Sequence, residues 1–137
     1  MVISSIELHT AISCLCQDVL SSNEHISFVC ALNKKGRVIE AKLKHDRVVG
    51  MLSKQQIEML YMQRTLQTSL CMEFDDVMGS LNYITLHRET FFEFIFPYSE
   101  GVFFMIADLD VLPHYLGKKI MFMLRDFDWR IKNPIFQ

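Results

Sequence analysis

The segment TFFEFIFPYSEGVFFMIADL, residues 90–109, reads as two β-strands joined by a tight turn. Phe92, Phe94 and Phe96 fall on one side of the first strand, and Phe91 and Ile95 on the other. In the second strand Val102, Phe104 and Ile106 oppose Phe103, Met105 and Ala107. PYSEG between them carries turn formers. A strand that is apolar on one face packs against a single layer. Two adjacent strands that are apolar on both faces require a sheet covered above and below.

Working outward, NYITLHR (82–88) supplies a third strand, with Tyr83, Thr85 and His87 on one side and Ile84 and Leu86 on the other. Upstream, HISFVCALNKKGRVIEAKL (25–43) is a hairpin. Ile26, Phe28, Cys30 and Leu32 alternate with a smaller, mixed face, NKKG turns with Gly36 at positive φ, and Ile39, Ala41 and Leu43 resume the period of two. Five strands result, and their connections make the sheet antiparallel.

Three helices cover it. Leu8, Ile12, Leu15, Cys16 and Val19 recur at helical spacing over residues 5–21, with Ser4 and Glu7 as a capping box. A second capping box, Ser53 with Gln56, opens a long helix that Gly79 closes. Met59, Leu66, Leu70, Phe74 and Val77 form its apolar stripe, while Ile57, Tyr61 and Met72 lie on a different side. Apolar residues on more than one side call for more than one packing surface. Asp110 caps the last helix, with Pro113 in its first turn and Ile120, Met123, Leu124 and Phe127 on its apolar face. Residues 129–137 read as a tail that either docks through Trp129 or Ile131 or frays. The reading is one α/β domain over 1–137, ordered α-β-β-α-β-β-β-α, a five-stranded antiparallel sheet with helices on both faces.

Composition narrows the function classes. The chain is 50% hydrophobic with 11 Phe and 9 Met, which excludes disorder of its body. Net charge is −2, so nothing in bulk points to nucleic acid. The charges are uneven: six Lys or Arg between 34 and 47, and eight acids against Arg88 alone between 73 and 110. Lys34, Lys35, Arg37, Lys42, Lys44 and Arg47 form a charged surface suited to a protein partner, and no aromatic stands among them for stacking a single strand. No run is long enough to span a membrane, no Lys or Arg precedes Lys34, and the expected compartment is the cytoplasm. Cys14, Cys16, Cys30 and Cys71 suit buried free thiols. The five histidines make no HxH or HxxxH pair, no GxSxG occurs and the glycines never cluster, so no cofactor, metal or catalytic residue is expected.

The element order resembles the roadblock/LC7 domains of the profilin-like group. FVCALNKKGRVIEAKL (28–43), the long helix with its following strand (52–89) and the Phe-rich hairpin also resemble an uncharacterised family of small archaeal proteins. The resemblance implies first and last helices on one face and the long helix on the other. It also implies a homodimer through the long helix and the strand after it, with Met59, Met62, Gln63, Leu66, Leu70, Tyr83, Ile84, Thr85 and Leu86 at the interface. Proteins of this type are non-catalytic regulators, and a small GTPase is the kind of partner implied. Related sandwiches also hold small molecules between sheet and helix. Here Tyr61, Cys71, Phe91, Phe94 and Phe104 would line such a pocket.

Overall fold

A computed structural model describes residues 3–45 and 48–134. Its elements are α1 (Ser5–Ser21), β1 (Ile26–Asn33), β2 (Val38–Leu43), a 3-10 turn (Val49–Met51), α2 (Lys54–Met72), α3 (Asp75–Met78), β3 (Ile84–His87), β4 (Phe91–Tyr98), β5 (Gly101–Asp108) and α4 (Pro113–Lys132). The five strands form one sheet in the order β2-β1-β5-β4-β3, and every pairing is antiparallel. β2 and β3 are therefore its edges.

The double-sided strands behave as their alternation requires except at the start of β1, where a register shift between Ile26 and Phe28 turns Ile26 away from Phe28, Cys30 and Leu32 to the face of Val29 and Ala31. Phe92, Phe94, Phe96, Phe103, Met105 and Ala107 pack with Ile12, Cys16 and Val19 of α1 and Ile120, Leu124 and Phe127 of α4. Phe28, Cys30, Leu32, Ile95, Val102, Phe104 and Ile106 face the other way, toward Val49 and Tyr61. α1 and α4 cover one face and α2 the other. The β1–β2 turn is held by Asn33, whose side-chain oxygen accepts from the backbone N–H groups of Lys35 and Arg37 at 2.9 and 3.0 Å. Gly36 sits there at φ 78°, in the left-handed region open to glycine.

Four expectations are corrected. The long helix does not run to Gly79: it ends at Met72, and the chain turns at Glu73 and Phe74 into α3. Nothing in the side-chain pattern marks that break, because neither residue is Gly or Pro. Asp110 does not cap α4, whose N-cap is Leu112 without a side-chain bond; the Asp110 N–H instead binds Asp108 at 2.9 Å. Trp129 to Lys132 are the last turn of α4 rather than a tail; residues 135–137 lie outside the described residues. Ser4 caps α1 by accepting from the Glu7 N–H at 3.1 Å, but its hydroxyl donates to the Glu7 carboxylate, so the box is one-sided. The box at Ser53 and Gln56 is complete.

Candidate interaction surface

α2 is built the wrong way round for a helix that covers a core. The side chains it buries are Tyr61, Arg64, Thr65 and Thr68. Met59, Met62, Leu66 and Leu70 are half or more exposed, at 52%, 56%, 59% and 50%, with Gln63 exposed among them. An ordinary surface helix reverses this arrangement. The expected stripe is thus present, and it faces solvent.

The polar inner face is satisfied locally. The Thr65 and Thr68 hydroxyls each donate to the carbonyl four residues back, both at 2.8 Å, so their burial leaves no unmade bond. Arg64 donates from Nε to Glu93 of β4 at 3.1 Å, and a second nitrogen reaches the other carboxylate oxygen at 3.4 Å. Arg88 donates to the same carboxylate at 2.9 Å. This bridge pins α2 to the sheet. It is invisible in sequence because 29 residues separate its partners. At the other side of the helix the hairpin turn comes close: a Cβ on Gly36 would lie 3.1 Å from the Met62 Cα and 3.1 Å from the Thr65 hydroxyl.

The edge strand β3 adjoins this surface. Ile84 and Leu86 pack beneath α2, and Tyr83 turns to the opposite face. Its ring lies 5.6 Å from that of Phe96 and sits directly over Gly117 of α4, where a Cβ would fall 2.5 Å from the ring. Of the nine predicted interface residues, the five on α2 are outward, and Ile84, Thr85 and Leu86 are half-buried along the open edge. Tyr83 is half-buried as well, but its ring packs on the α4 face of the sheet rather than on the α2 side. Gly117→Ala is expected to lower stability by about 1–3 kcal/mol through overpacking, outweighing the helix-propensity gain of about 1 kcal/mol. Thermal unfolding checks this, and a raised midpoint would mean that the Tyr83 ring swings clear at no cost.

Lys34, Lys35, Arg37 and Lys44 are exposed and Lys42 half-buried along the β1–β2 hairpin; Arg47 lies outside the described residues. The proposed pocket residues do not meet in one cavity. Phe94 and Phe104 are fully buried on opposite faces of the sheet. Tyr61 lines a groove of about 470 Å³ beside Gly36 and Ile57, Phe91 a separate hollow near Ser27 and His45, and Cys71 a third beside α3. The cysteines divide as well: Cys16 and Cys30 are buried, as expected, whereas Cys14 and Cys71 are exposed. Burial pushes both inner thiols up to about 12, so they stay protonated and poorly nucleophilic.

One polar cluster was not foreseen. His25, just before β1, and Asp108, ending β5, lie 83 residues apart and meet at 3.1 Å. His25, Asp108 and Asp110 each offer a ligand atom within 4.8 Å of the others, but Asp108 already bonds the His25 ring and the Asp110 N–H, which accounts for the grouping as a turn lock. The hydrogen bond to Asp108 raises the His25 pKa above its ordinary 6.5, aided by the negative charges of Asp108, Glu24 and Asp110 and opposed by desolvation. Because the folded-state value is the higher one, the pair stabilises fully below the unfolded value and the contribution fades as pH rises through the folded value. Asp108→Asn is expected to bring the His25 titration down, followed by NMR of the ring protons. An unmoved titration would remove Asp108 as its cause.

No family model and no curated protein matches the sequence. Solved structures match the backbone. A roadblock/LC7 domain from Streptomyces avermitilis aligns at a TM-score of 0.62 and 11% identity, over 91% of this chain and 98% of that one. MglB from Myxococcus xanthus aligns at 0.67 and 13%, over 96% of each chain. MglB in a tetrameric arrangement aligns at 0.62 and 10%, again over 96% of each. Sequence likeness is slight while backbone likeness extends over almost the entire chain, and what this protein shares with them is the roadblock/LC7 fold.

Proposed function

We propose that this chain is a non-catalytic interaction module that forms a homodimer through the outer face of α2 and the edge of β3. The observation that carries the reading is the inversion of α2, which buries Arg64, Thr65 and Thr68 and leaves Met59, Met62, Leu66 and Leu70 outside. Such an apolar face on a folded domain is a surface for a partner, and the adjacent open strand offers unpaired backbone groups to the same partner. Among the structures with this fold, one is of MglB in a tetrameric arrangement, in keeping with a fold that assembles. The cations of the β1–β2 hairpin then serve to steer an acidic protein, a small GTPase being the class the resemblance suggests. The resemblance to the archaeal family is read as kinship within this fold, and four free thiols suit a reducing cytoplasm.

Light scattering coupled to size exclusion, over a dilution series, tests the assembly. The expected species has twice the 16.1 kDa chain mass. A monomer at every concentration would overturn the homodimer.

A further inference from the structure

We propose that the outer face of α4 is a docking ridge for an anionic bilayer surface. Tyr115, Phe122 and Trp129 recur every seventh residue and are 71%, 52% and 52% exposed. At 3.6 residues per turn they fall within an arc of roughly 40°, a crest about 21 Å long. Cations line both shoulders of that crest: exposed Lys118, Arg125 and Lys132 on one side, with Arg125 also donating to Asn82 at 2.8 Å, and exposed Lys119 and Arg130 on the side of α1, where Lys119 donates to the Ser22 carbonyl at 2.6 Å. The carboxylate on this arc, Asp126, is held by Arg130 at 3.1 Å. The guanidinium of Arg125 leans over the Phe122 ring at 5.8 Å. Five cations of α4 therefore stand against Asp126 of the same helix and Asp18 of α1, which lines the groove beside Arg130, in a chain whose net charge is −2.

The shape selects among anionic partners. A single strand of nucleic acid is held in a groove that tracks its backbone, and a partner helix needs holes for its side chains. The α4 crest stands outward, so a flat surface touches it together with the Lys118, Arg125 and Lys132 shoulder, the one away from α1. Aromatic rings at the headgroup level with lysine and arginine beside them reaching to anionic lipid is the pattern of an interfacial helix. α1, beside α4, presents Glu7 and Asp18 to solvent, so contact is by α4 with the molecule tilted away from α1. No helix among the described residues is long and apolar enough to cross a membrane, and none is needed. The ridge lies across the sheet from α2, and its action does not rest on the dimer.

Trp129 is the chain's single tryptophan and reports directly. With vesicles of phosphatidylcholine containing 30% phosphatidylglycerol, the full chain is expected to float with the lipid, with a blue-shifted Trp129 emission. Pure phosphatidylcholine vesicles or 0.5 M salt should abolish both. The double variant Lys118→Glu/Lys132→Glu should lose binding at least tenfold with an unchanged circular dichroism spectrum, and Phe122→Ser should weaken it in the same direction. Lys34→Glu/Lys35→Glu on the distant hairpin should bind as the parent does. The proposal is overturned if anionic vesicles leave the protein in the pellet with unshifted emission, or if the hairpin variant loses as much as the α4 variant. It is equally overturned if a single-stranded RNA shifts the emission while vesicles do not.

Discussion

Glu93→Ala is expected to destabilise the protein by about 3–5 kcal/mol, because it strands the buried guanidinium of Arg64. For a chain of this size that lowers the thermal midpoint by roughly 10–20 °C. The reasoning turns on which arginine loses its partner. Arg64 has a side chain 11% exposed and Glu93 one 4% exposed, whereas the Arg88 side chain is 55% exposed. Water re-solvates Arg88 once the carboxylate is gone and cannot do so for Arg64 without lifting α2 from the sheet. Arg88→Ala should therefore cost no more than about 1 kcal/mol. The sharper test is Arg64→Met/Glu93→Leu, which removes both charges and should recover most of the single-variant loss. If Glu93→Ala melted within a few degrees of the parent, the bridge would not be what holds α2 in place.

The second large effect is on assembly. Leu66→Glu places a carboxylate at the centre of the outward apolar face of α2, in both copies of a symmetric dimer. Burying it there costs on the order of 3 kcal/mol, which weakens the dimer roughly 100-fold. Leu66 is 59% exposed in the single chain, so the fold should change by no more than about 0.5 kcal/mol. Sedimentation equilibrium on the variant is expected to find monomers at concentrations where the parent is paired. A variant that remained dimeric with parental affinity would move the interface away from α2.

Much of the fold was legible because period-two patterns on β1, β4 and β5 are enforced from both sides. Phe92, Phe94 and Phe96 could not exchange faces with Phe91 and Ile95 without emptying one core and overfilling the other. The face that α2 turns inward was not legible, because periodicity locates an apolar stripe without saying what it touches. Nothing in the spacing marks Thr65 and Thr68 as inner residues; their back-bonds to Tyr61 and Arg64 are what let them be buried. The Arg64–Glu93 and His25–Asp108 pairs depend on strand order, which local patterns do not encode. The aromatic and basic positions of α4 were hidden in plain view, since Trp129 and Lys132 read as part of a tail once the helix is ended too early.

The two rims of the sheet differ in a way that bears on how far it can grow. β2 carries Glu40 and Lys42 and is flanked by Arg37 and Lys44, so its rim is charged and a second β2 laid beside it would have to pair or desolvate those charges. β3 has no charged residue among Ile84, Thr85 and Leu86. Two copies joined at β3 would consume both welcoming rims and leave a ten-stranded sheet bounded by lysine at each end. Such an object is self-terminating: its symmetry closes at two chains, and a charged rim at each end is a poorer template for lengthening into a fibre than β3.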